Sequence, residues 1–112
     1  MTIGDKKIGF LYSIGADCEV DDEMQKVGVN DFISLMEHLG TSQTYIKLGA
    51  ILNKWYCKAN GGEPVSEDEL FNLPAGALAV LEEEVSKAIT EGQKTTIKAK
   101  PVPSKNAKSA AK

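Results

Sequence analysis

The stretch "GADCEVDDEM", Gly15 to Met24, sets five carboxylates among the seven residues 17–23, with Asp17, Glu19 and Asp21 on alternate positions. Alternate acids are how a calcium loop of the EF-hand type begins. Such a loop places oxygen ligands at positions 1, 3 and 5, a glycine at 6 for the sharp turn, and a bidentate glutamate at 12. Counted from Asp17, position 6 is Asp22, and position 12 is Gly28, which has no carboxylate. The same residues carry a helical stripe of Ala16, Val20, Met24 and Val27, which a calcium loop would interrupt. The stretch is therefore expected to be the wet face of a helix, and no metal site is assigned to it.

Catalytic constellations are equally hard to build. His38 is the only histidine, so a histidine-based metal site is excluded and a Cys–His pair would have to use this residue. It falls near the end of a predicted helix, where the helix dipole favours an imidazolium. Cys18 and Cys57 belong to no CxxC pair and are expected as small buried hydrophobes in a reducing compartment. No serine lies in a nucleophile elbow, and Gly61-Gly62 lacks the lysine and following helix of a phosphate loop. The carboxylates fall on predicted exposed faces, where they keep ordinary proton affinities. The sequence therefore assigns no catalytic residue, no metal and no cofactor, and a non-enzymatic protein is expected.

Charge is divided unevenly. Residues 1–91 hold all 16 acids and 7 lysines, a net −9, while residues 92–112 hold 6 lysines and no acid, and arginine is absent throughout. Phosphate recognition favours a basic face, usually with arginine, so the body is not expected to bind nucleic acid. Any such contact would fall to the tail, with Lys94, Lys98 and Lys100 as its candidate residues. No apolar run reaches the length of a membrane-spanning helix and no signal peptide opens the chain, so a cytoplasmic protein is expected.

The elements follow from hydrophobic period and punctuation. "MTIGDKKIGFLYS" reads as a hairpin turning at Gly4-Asp5, with Ile8, Phe10 and Tyr12 on one face. A first helix runs from Ile14 to a stop at Gly28, with an Asp22–Lys26 pair one turn apart. A second, "DFISLMEHL", has Asn30 as its cap and Phe32, Leu35, Met36 and Leu39 inward. The strongest signal is "TSQTYIKLGAILNKWYCKAN", whose stripe of Tyr45, Leu48, Leu52, Trp55 and Ala59 is widened by Ile51 and Tyr56. This helix, capped by Thr41 or Ser42 and ended by Gly61-Gly62, is expected at the centre of the core. "PVSEDELFNL" carries a capping box of Ser66 and Glu69, with Val65 and Leu70 as a hydrophobic staple. A last helix starts at Pro74, turns Leu78, Leu81, Val85, Ala88 and Ile89 inward, and closes at Gly92. The expected fold is mainly α: a small array of about five helices with a short N-terminal β-hairpin, as residues 1–92, and a disordered Lys-rich tail, as 93–112.

With no chemistry to locate, surfaces remain. Trp55 and Tyr56 are adjacent on one helix and cannot point the same way, so either one anchors the core and the other lies near its rim, or both are buried against the hairpin and the last helix. Leu70 and Phe71 pose the same choice on the short capped helix. Rim aromatics anchor protein interfaces, and these four residues are the candidate partner-binding set.

The arrangement over residues 1–92 resembles a bacteriophage tail assembly chaperone of the long-tailed phages. The resemblance lies in a hairpin running into a helix through "FLYSIGA", the aromatic-rich "IKLGAILNKWYCKANGGEPVSEDEL" and the closing "VSKAITEG". Within these, the glycine turn and capped helix of "GGEPVSEDEL" are the most family-like part. The resemblance implies a chaperone without catalytic activity that binds the tape-measure protein in the infected cell and keeps it soluble while the tail tube forms. It implies absence from the mature virion, with the tail tube protein and a second copy of the chain as further partners. It also implies that the lysine tail ends the shorter form, or leads into an extension made by ribosomal frameshifting. The alternative reading is a small cytosolic adaptor or regulatory protein that touches nucleic acid through its Lys-rich tail.

Overall fold

The computed structural model describes residues 1–3 and 5–94. The expected turn residue Gly4, and the tail from 95 on with Lys98 and Lys100, lie outside the described residues. Two short strands, β1 (Thr2–Ile3) and β2 (Lys6–Lys7), pair antiparallel with Thr2 opposite Lys7 and Ile3 opposite Lys6. Five helices follow among the described residues: α1 (Ile14–Lys26), α2 (Phe32–Leu39), α3 (Thr41–Asn60), α4 (Glu67–Phe71) and α5 (Ala77–Gln93). The mainly helical fold with an N-terminal hairpin is thus as the hydrophobic period predicts. The acidic stretch is continuous helix, with Ala16, Val20 and Met24 buried and Asp17, Asp21 and Asp22 outward.

Helix α3 is the element on which the others are built, since α1, α2, α4 and α5 all pack against it. Leu52 and Thr44 have no exposed surface, and Ile46, Leu48 and Ile51 are buried as well. Each such aliphatic side chain contributes about 1.5–3 kcal/mol by leaving water. Gly49 sits where α4 and α5 close on the helix. A Cβ there would lie 3.1 Å from Leu81 Cδ1 and 3.5 Å from Leu70 Cδ1. Thr44 turns its hydroxyl back onto the Gly40 carbonyl, at 2.8 Å, which lets a polar side chain stay buried at the α2–α3 elbow.

The second buried polar side chain of α3 is Asn53, which is 2% exposed. Its Nδ2 donates to the Gly9 carbonyl at 2.8 Å, and its Oδ1 accepts from the Val65 N–H at 2.8 Å. One amide therefore fixes both the segment after the hairpin and the loop into α4. Leu11 N–H donates to the Leu52 carbonyl at 3.1 Å beside it. The segment Ile8–Ser13 has no regular secondary structure; Ile8 exchanges hydrogen bonds with Met1 at 2.7 and 2.9 Å, and Ile8 and Tyr12 are buried in the main core.

Several local expectations are corrected. Asp31, not Asn30, caps α2, accepting from Ser34 N–H at 2.7 Å. The chain passes from α2 to α3 through Gly40 alone, at φ 92°, so neither Thr41 nor Ser42 acts as a cap. Pro74 does not open α5; Pro74–Gly76 form a turn, and the helix begins at Ala77. It ends at Gln93 rather than at Gly92. Lys26 pairs with Glu23 at 3.0 Å instead of with Asp22. Ala59 is exposed, because the buried face of α3 ends near Asn53. Cys18 is also exposed and Cys57 half-buried, both as free thiols, so the cysteines are not core residues. The capping box of Ser66 and Glu69 is present as read, with Val65 and Leu70 both buried in the core.

Asn53→Ala leaves the part-buried Gly9 carbonyl and the buried Val65 N–H without their partner and should lower the unfolding free energy by about 2 kcal/mol. Urea unfolding measures this, and a loss below about 0.5 kcal/mol contradicts the role given to the amide.

Candidate functional site

The four candidate partner-binding residues fall in different surroundings. The ring of Trp55 lies against Gly15 of α1, where a Cβ would collide with it, and its Nε1–H donates to Glu19 Oε1 at 2.7 Å. Lys54 Nζ meets the other Glu19 oxygen at 2.6 Å, and Lys58 Nζ sits 4.8 Å from the Trp55 ring centroid. Tyr56 lies with its ring against Gly9. Both aromatics are half-buried and act as clamps, one on α1 and one on the segment after the hairpin. Neither lies in the fully buried core, and both keep part of their surface exposed.

Leu70 and Phe71 separate cleanly. Leu70 is in the core, whereas Phe71 is 50% exposed. Phe71 overhangs a cleft of about 160 Å³ between α3, α4 and α5 that is walled by Leu73, Pro74 and Leu78 and floored by Ile46, Leu70 and Leu81. A second apolar cleft, about 210 Å³, runs between α2 and α5 over α3 and is lined by Phe32, Met36, Tyr45, Leu48 and Ile89. Sequence reading missed both. Several lining residues, Phe32, Met36, Leu48, Leu78, Leu81 and Ile89 among them, are read as inward-facing, but a gap between two helices depends on how each crosses a third.

The electrostatics is that of helix clamps. Partial burial raises the proton affinity of Glu19, but hydrogen bonds from Lys54 and Trp55 and the lysine charge outweigh it, so the pKa ends below the ordinary value. The Glu23 carboxyl is also held low, chiefly by its bond to Lys26, against partial desolvation and with help from Lys47. Lys47 stands 3.4 Å from both Glu23 and Glu67, tying α1 and α4 to α3. The Tyr12 hydroxyl is pushed well above its usual range, first by burial and then by its bond to Asp17. The three alternate acids thus look in separate directions: Asp17 to Tyr12, Glu19 to Lys54 and Trp55, and Asp21 to solvent. Among the described residues no group of three or more His, Cys, Asp or Glu side chains is placed to hold a metal ion. His38 is exposed in the last turn of α2. Lys94, the one candidate tail lysine described, pairs with Glu91 at 3.1 Å. No described helix is long and apolar enough to cross a membrane.

No family model, curated protein or solved structure matches this chain.

Because folding lowers the Glu19 pKa, its contribution is present above the unfolded value of 4.5 and is lost as the pH falls through the lower folded value. Glu19→Gln should cost less than about 1 kcal/mol near neutrality and make the acid limb of the stability profile shallower than in the unaltered chain. Chemical unfolding followed by Trp55 fluorescence from neutral to acid pH reads this, and an unchanged acid limb contradicts it.

Proposed function

We propose that this chain is a non-catalytic assembly chaperone of the bacteriophage tail type, which binds the tape-measure protein and keeps it in solution while the tail tube forms. The observation that supports this reading most is the cleft under Phe71. A large aromatic stands half-exposed above an apolar pocket wide enough for one or two side chains of a client helix. Helix-in-groove recognition uses such pockets, filled by apolar residues spaced three and four apart along the incoming helix. Residues 1–91 carry a net −9, and this charge keeps loaded complexes apart in solution. On this reading the protein works in the cytoplasm of the infected cell and leaves before the virion is complete. The tail tube protein and a second copy of the chain are its further partners.

Co-expression with the longest helical tail protein of the same phage, followed by sedimentation and pull-down, tests the reading. The chain should move that protein into the soluble fraction. Phe71→Ser, which removes a half-buried ring and should cost about 1 kcal/mol of stability, should weaken the complex about tenfold. A tail protein that stays insoluble and unbound contradicts the proposal and favours the adaptor reading.

A further inference from the structure

Helix α5 ends against the start of α1. A cleft of about 260 Å³ there is lined by Gly92 and Gln93 on one side and by Tyr12, Ser13, Ile14 and Asp17 on the other. A Cβ at Gly92 would collide with the Tyr12 carbonyl, so the last turn of α5 is seated on the residues that lead into α1. The chain leaves the helix extended at Lys94, with φ −74° and ψ 137°. Whatever follows Lys94 therefore sets out from the edge of α1.

The face of α1 beyond that cleft has no partner among the described residues, since the helix packs chiefly on α3. Ile14, Asp17 and Asp21 stand three and four residues apart along this face, and all three are exposed, Ile14 by 85%. Burial pushes the Tyr12 hydroxyl above its usual range, and the bond to Asp17 and the charges of Asp17 and Asp21 add to it, which places Asp21 on the Tyr12 flank of α1. Neither aspartate makes an ion pair among the described residues. The nearby cations are directed elsewhere. Lys26 meets Glu23, Lys54 meets Glu19 on the other flank of α1, and Lys94 meets Glu91. Lys87 lines the neighbouring cleft together with Glu84 and Glu91.

The sequence that follows, residues 95–112, carries five lysines and no acid. In an extended chain Lys98 and Lys100 point the same way about 6.6 Å apart, while Asp17 and Asp21 are about 6 Å apart along their helix. Four extended residues from Lys94 to Lys98 span up to about 13 Å, against about 10 Å from Ile14 to Asp21. Pro101 disfavours helical backbone at Lys100. We propose that the segment 95–100 docks along the outer face of α1, with Lys98 set against Asp17 and Lys100 against Asp21. Charge and tethering together select this occupant. An attached segment meets the face at an effective concentration of about 1 mM, which a separate partner has to match. A second copy in a two-fold contact would bring the same aspartates face to face, which opposes association. The contact involves neither the Phe71 cleft nor its client.

The test is NMR of the full chain with a nitroxide on Cys18, which is exposed beside Asp17 on this face, and with Cys57→Ser to make the label unique. Paramagnetic broadening at the amides of residues 95–100 should fall about threefold as ionic strength is raised from about 0.05 to about 0.5 M. Asp21→Lys should lower it as far at low salt, and adding Lys98→Asp with Lys100→Asp should restore it. Without the label, Lys98→Glu with Lys100→Glu should shift the Asp17 and Asp21 amides and leave those of α4 in place. Unchanged α3 amides check that each variant folds, and if Asp21→Lys does not, the unlabelled comparison decides alone. Broadening indifferent to salt and to these charges, with Asp17 and Asp21 amides that do not move, overturns the proposal. So does broadening that fades on tenfold dilution, which would make a second copy's segment the occupant.

Discussion

A helix that receives neighbours on several sides must bury whatever polar groups its sequence places there, and in α3 that requirement falls on Asn53. Its amide accepts the Val65 N–H and donates to the Gly9 carbonyl, so two chain segments 56 residues apart in sequence are registered on one side chain. A buried amide with both ends satisfied is tolerable, and one with either end open is expensive. The rest of the array depends on this arrangement. The hairpin segment, the α4 loop and, through Gly49, the approach of α5 are all set against the same few turns.

Because α1, α2, α4 and α5 each pack chiefly on α3, gaps remain between some of them. Two of those gaps are apolar clefts, one under Phe71 and one between α2 and α5. Trp55 and Tyr56 do not contribute to either, since each is spent on a glycine of a neighbouring segment. The acids divide in the same manner. Glu19 and Glu23 bind lysines across helices, whereas Glu37, Glu82 and Glu83 make no ion pair among the described residues. A body with clefts for helices and carboxylates around them is suited to holding a helical client in solution, which is the physical content of the proposed function.

Most of the fold was legible because burial imposes a period. Ala16, Val20 and Met24 mark the inner face of α1, and Leu81 and Val85 that of α5, as spacing alone predicts. The capping box of α4 was readable because its chemistry is local. The errors have local causes too. Cys18 was read from residue type, yet it lies on the outer side of α1, between Asp17 and Glu19. Ala59 continued the stripe of α3 past the point where any neighbour covers it. Asn53 drew no reading, because the stripe of α3 was traced through apolar and aromatic residues alone. The signal that would have revealed it is its position four residues after Gly49, on a face of small residues that neighbouring segments approach closely. The clefts had no sequence signal, since they are set by crossings between helices far apart in the chain. The Phe71 site was half legible: the residue was singled out, and the pocket beneath it was not.

The central claim is that α3 organises everything else, and native-state hydrogen exchange tests it most directly. The amides of Leu48–Asn53 should be the slowest to exchange, opening only with global unfolding, while those of α2 and α4 exchange through smaller openings. If amides of α1 or α5 outlast those of Leu48–Asn53, or if the centre of α3 exchanges by local opening, the helix is not the element on which the structure rests.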